Sequence, residues 1–109
     1  MTPEAAENNE RILAEVEALG GGYVWESEIF AIVLMDIAIA DQEAASLCGL
    51  IGVEQIALNG SRLAFATLQS IASIPGLQSL VLSGVNLSDD QHSLLKHCGP
   101  EIELIGDDT

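Results

Sequence analysis

Apolar residues recur along the chain at two alternating spacings. Leu80 and Leu82, Ile56 and Leu58, and Ile32 and Leu34 stand two apart, the period of a short strand with one buried face. Downstream of each pair the spacing lengthens. Ala44, Leu47 and Leu50, then Leu68, Ile71 and Ile74, and less regularly His92, Leu95 and Cys98, come every third position, as on a short helix packing one stripe inward. The anchors superpose on a shift of 24 positions: Leu77, Leu80, Leu82 and Leu87 fall on Val53, Ile56, Leu58 and Leu63, and these on Ile29, Ile32, Leu34 and Ile39. A period of this size predicts units that cannot bury their own apolar face and must stack on one another. Residues 29–52, 53–76 and 77–100 are the three expected units, each strand, turn and helix. Their strands are expected to pair in parallel, because each returns to the same edge after its helix.

The flanks read as closures. Thr2-Pro3-Glu4 predicts a helix start, and Ile12, Leu13, Val16 and Leu19 fall on one stripe of a helix laid across the open end of the stack. Gly20-Gly21-Gly22 ends it. These glycines do not form a phosphate cradle, since no Lys-Ser/Thr follows and they come after a helix instead of between strand and helix. Tyr23 to Trp25 reads as an edge strand, with Trp25 a plug under the cap. Beyond Pro100, Glu101 to Ile105 alternates again and predicts a closing strand with Ile102 and Leu104 inward, followed by a solvated acidic tail. The expected organisation is one domain over 1–109: capping helix and edge strand in 1–28, repeats in 29–100, closing strand and tail in 101–109.

The third unit, LQSLVLSGVNLSDDQHSLLKHCGP, follows LxxLxLxxxxLxDxxxxxLxxLxx with Cys98 at the last Leu position, and from Ile29 to Pro100 the chain resembles leucine-rich repeats of the compact bacterial kind. The resemblance implies an α/β fold: a short solenoid of right-handed β-α units, a parallel sheet on its concave face, and an N-terminal capping helix. It also implies a non-catalytic protein-interaction module. Two departures matter. Met35-Asp36 stands where the later units have the turn pairs Asn59-Gly60 and Ser83-Gly84, and Phe65 stands where the others have Asp41 and Asp89. With those aspartates as helix caps, the middle helix is expected to be the most loosely started, unless Phe65 packs under its neighbour.

Between the inward anchors lie the side chains expected on the concave face: Ala31, Val33 and Met35, then Gln55, Ala57 and Asn59, then Ser79, Val81 and Ser83, then Glu103 and Ile105. The row Val33, Ala57, Val81 and Ile105 would be apolar throughout. Small residues also suit a tight concavity, but a contiguous exposed apolar stripe more often marks a contact surface. Charge supports this placement. Seventeen carboxylates against Arg11, Arg62 and Lys96 give a formal charge of −14, which argues against ordinary binding to nucleic acid or anionic membrane. The acids gather at the ends, and between Ala44 and Ser88 only Glu54 and Arg62 are charged.

No apolar run approaches the ~20 residues that cross a bilayer. The acidic, polar N-terminus is unlike a secretory signal, so a cytoplasmic chain is expected. Cys48 and Cys98 lie about two units apart on the helical side and read as reduced packing residues. Chemistry finds little to work with. His97 and Cys98 are adjacent on a helix and point to different faces, His92 reads as a packing residue, and Asp89 reads as a cap before a metal ligand. No enzyme, cofactor, metal or small-molecule substrate is expected. The expected function is contact through the concave face with another protein or with a second copy. The alternative is an acidic, immunity-type inhibitor whose N-terminal helix and tail occupy a basic groove of a nuclease or toxin.

Overall fold

A computed structural model describes residues 2–26 and 29–105. It has an α/β fold, in the order α1 (Pro3–Ala18), β1 (Gly22–Trp25), β2 (Phe30–Ala38), α2 (Asp41–Leu47), β3 (Gln55–Asn59), α3 (Phe65–Ala72), β4 (Ser79–Ser83), α4 (Asp89–His97) and β5 (Glu101–Ile105). The five strands form one sheet in chain order. β1 is antiparallel to β2, and every later step is parallel.

The 24-residue offset becomes strand register. Ile32 lies beside Ile56 and Ile56 beside Leu80, while Leu34, Leu58 and Leu82 form the next row. These six side chains are almost fully buried, in one cluster with Ile12, Leu13 and Val16 of α1, Ala44 and Leu47 of α2, Leu68 and Ile71 of α3, and Leu95 of α4. All four helices therefore cover one face of the sheet, and the other face stays open. Between units the backbone continues the ladder: Glu54 N–H donates to Phe30 O at 2.9 Å, Gln78 N–H to Glu54 O at 2.7 Å, and Glu101 N–H to Gln78 O at 2.9 Å. Gly52 and Gly76, equivalent positions just before β3 and β4, both take φ +85°, a left-handed turn that favours glycine.

The predicted N-terminal helix is present. Thr2 Oγ1 accepts from Ala5 N–H at 3.2 Å, and Gly20 and Gly21 close the helix by donating to Glu17 O and Val16 O, both at 3.0 Å. Its docking uses a residue outside the expected stripe. Asn9 is fully buried, and its Nδ2 donates to Ile51 O at 2.8 Å while its Oδ1 accepts from Ile51 N–H at 2.9 Å. Asn8 Nδ2 adds a bond to Gly49 O at 2.7 Å, which fixes α1 to the loop after α2. β1 extends the sheet on the same side, and Trp25 stacks on Phe30 with ring centroids 5.4 Å apart.

Three expectations need correction. Ile29 is not an inward anchor: it is 48 % exposed, and Phe30 is buried in its place. The first unit is entered from a hairpin, with Glu26 N–H donating to Ile29 O, whereas the later units are entered from a helix. Met35-Asp36 is not a turn, because β2 runs on to Ala38 and the register slips so that Ala38, not Met35, lies beside Asn59. Finally, the aspartates do not cap their own helices. Ser88 caps α4, its Oγ accepting from Gln91 N–H at 3.2 Å, and Asp89 is the first helical residue. At α2, Glu43 accepts from Ala40 N–H at 2.9 Å, and this leaves Asp41 to reach across to the next unit. There Asp41 Oδ1 accepts from Ala64 N–H at 2.9 Å and from Thr67 Oγ1 at 2.8 Å, so α3 takes its cap from the preceding unit. Phe65, the first residue of α3, packs half-buried against the core.

Candidate interaction surface

Alternation along the strands sends every second side chain to the face without helices. Register then fixes their neighbours. Val24, Ala31, Gln55, Ser79 and Glu101 form one row, and Gly22, Val33, Ala57, Val81 and Glu103 the next. A third row holds Asn59, Ser83 and Ile105. Val33 is 49 % exposed, Val24 44 % and Ile105 45 %, so the apolar groups are open to solvent at both ends of the sheet. Gln55 is exposed, and Ala31, Met35, Ala57, Asn59, Ser79, Val81 and Ser83 are half-buried.

The structure brings Val33, Ala57 and Val81 side by side but removes Ile105 from that row. Glu103 is Val81's neighbour on β5, and Ile105 stands beside Ser83. The cause is a shorter last step. Leu80 pairs with Ile102, 22 positions on, because only Cys98, Gly99 and Pro100 separate α4 from β5, where six residues separate α3 from β4. The outer face is therefore uncharged across the paired positions of β1 to β4 and ends on two exposed carboxylates, Glu101 and Glu103.

Several polar side chains at the rim are already engaged. Asn59 Oδ1 accepts from Ser61 N–H at 3.1 Å, shaping the turn into α3, and Ser83 Oγ donates to Leu58 O at 3.4 Å. Beyond these turns lies a groove of about 370 Å³ that the sequence reading did not find, lined by Leu63, Phe65, Leu68, Val85, Leu87 and Gln91. It opens between the β3–α3 and β4–α4 loops, at the carboxyl ends of two parallel strands. Phe65 was its one signal, an aromatic ring where the other units carry a carboxylate.

Of the groups that carry chemistry elsewhere, two are spent locally. His97 Nδ1 lies 2.7 Å from Ser93 O, and Cys98 Sγ donates to Leu94 O at 3.4 Å, so both hold the backbone one turn back. His92 is half-buried with Nε2 shielded from solvent. Both cysteines are free, and burial pushes the Cys48 thiol up from its ordinary value. Among the described residues, no group of three or more His, Cys, Asp or Glu could hold a metal ion, and no helix is long and apolar enough to cross a membrane. The acids of α1 (Glu4, Glu7, Glu10, Glu15 and Glu17) are exposed along its outer side, and the tail from 106 onward lies outside the described residues.

The class defined by these features is an α/β protein with a mostly parallel five-stranded sheet, helices on one face and the other face open. Comparison with protein-family models, with curated proteins and with solved structures finds no match for the chain.

Proposed function

We propose that the chain is a short leucine-rich-repeat solenoid, closed at its N-terminal end by α1 and β1, and that it is a non-catalytic module binding a protein through the open, concave face of its sheet. The carrying observation is the matched register of residues 31–34 of β2 with β3, carried on into β4, which aligns Val33, Ala57 and Val81 in a row without charge. A chain with seventeen carboxylates has many to place, and it keeps them off the paired outward positions of β2, β3 and β4, the two on this face standing on β5. A contiguous row of apolar groups is unfavourably exposed to water, and burying it in a contact lowers the free energy.

The test is a pull-down from extract of the source cell with the wild-type chain and with Val33→Thr/Val81→Thr. Threonine keeps the β-branched shape and the charge while replacing a methyl at each position by a hydroxyl, so folding is preserved. The expected result is a protein retained by wild type and lost from the double variant, with identical urea unfolding curves. Equal retention by both chains refutes the assignment of the face.

A further inference from the structure

Glu101 and Glu103 are out of character with the surface they occupy. Their register neighbours on β4 are Ser79 and Val81, and the paired outward positions on β2 and β3 are likewise uncharged. Two residues apart on one strand, both carboxylates project from the same face, about 7 Å from each other. Neither side chain takes a hydrogen bond or ion pair among the described residues. The equivalent outward positions on the inner strand β4 carry Ser79 and Val81, so the register by itself does not call for carboxylates here, although β5 is the outermost strand of the sheet. They give the face a direction: an apolar row that terminates at a local negative charge.

From this we infer that the partner contacts the face with a segment carrying two or three apolar side chains followed by Lys or Arg, its cationic end placed over Glu101 and Glu103. The inference rests on the proposed binding role of this face and adds the chemistry of the occupant. Charge selects a basic partner over a second copy. Two copies would each bring a formal −14, with Arg11, Arg62 and Lys96 already counted against the seventeen carboxylates, and net charge of one sign keeps chains apart. A cation over β5 instead gains two carboxylates at the edge of an apolar patch, and complementary charge of this kind fixes register and speeds encounter.

The probe is a set of peptides selected from a random dodecapeptide display library on the immobilised full chain, then synthesised and titrated. The expected peptides pair apolar residues with adjacent Lys or Arg. Val33→Thr/Val81→Thr should weaken them at least roughly tenfold through unpaired hydroxyls in the contact. Glu101→Gln/Glu103→Gln should weaken them roughly 2- to 30-fold at low salt, the range for two exposed charge pairs. That second gap should close in 1 M salt, where screening acts within about 3 Å. Peptides that need Val33 and Val81 but bind the Gln variant unchanged overturn the inference and leave the face reading intact. Peptides that ignore both variants overturn both. A selection that returns no peptide, or none enriched in Lys or Arg, overturns the basic occupant. Self-association of the Gln variant with unchanged peptide affinity does so as well, and assigns the carboxylates to guarding a free strand edge.

Discussion

Asn9→Asp tests how α1 is held, with almost no change of shape. In the wild type the amide matches its partner at both atoms, donating to Ile51 O at 2.8 Å and accepting from Ile51 N–H at 2.9 Å. The carboxylate keeps the second bond, turns the first into oxygen against oxygen, and places a charge where the side chain is fully buried. A lost bond with an unsatisfied carbonyl costs about 1–3 kcal/mol, and a poorly compensated buried charge more, so about 3 kcal/mol is expected at neutral pH. With a urea slope on the order of 1.5 kcal/mol per molar for a small protein, the unfolding midpoint falls by about 2 M. Acid reverses the effect. Burial and the facing carbonyl raise the carboxyl's pKa in the folded chain, so the variant comes closest to wild type below the unfolded value of about 3.9 and weakens as pH rises through the folded value. Paired urea melts at pH 4 and pH 7, with amide exchange at Ile51, measure this. Equal midpoints for the two chains at pH 7, or a deficit that persists undiminished at pH 4, would refute the buried pairing.

Other perturbations separate the remaining contributions. Asp41→Ala should speed amide exchange at Ala64 and loosen the first turn of α3, leaving α4 unaffected. The Ala64 N–H and the Thr67 hydroxyl hold the Asp41 carboxyl below its ordinary value, so this support is complete above that value and disappears as pH falls through the lower folded one; an NMR titration of the carboxyl carbon checks the direction. Leu58→Ala, at a fully buried site in the central strand, should lower stability by about 2–5 kcal/mol in urea or thermal melts. Gly21→Ala and Gly76→Ala should differ in cause. A Cβ at Gly21 would meet Leu34 Cγ and Val33 O, both at 2.8 Å, and should cost about 1–3 kcal/mol through displaced packing. At Gly76 nothing lies within 4 Å, and the left-handed backbone alone should cost about 1–2 kcal/mol.

What the sequence disclosed was whatever its spacing encodes. The 24-residue shift became register at Ile32, Ile56 and Leu80, and the change from two-residue to three-residue spacing marked where each strand gives way to a helix. The orientation of Glu101 to Ile105 was legible too, since alternation alone turns Ile102 inward. Its neighbours were not, because the number of residues between α4 and β5 leaves no periodic trace, and extending the earlier offset placed Ile105 two positions out of line. Asn9 was hidden for another reason: its partner lies 42 positions away, and a buried amide looks the same in sequence as a solvated one. Asp41 was noticed as a helix-start residue but assigned to the wrong helix, since sequence adjacency favours a side chain's own turn and the structure uses the neighbour's.

That borrowed cap gives the array a fixed order. Inserting a second copy of residues 53–76 after the first would set a benzyl ring, that of Phe65, where the duplicated helix needs an acceptor. A second copy of 29–52 would bring Asp41 along and could be followed directly by the existing middle segment. Lengthening this chain by recombination is thus feasible from one side of the seam and obstructed from the other.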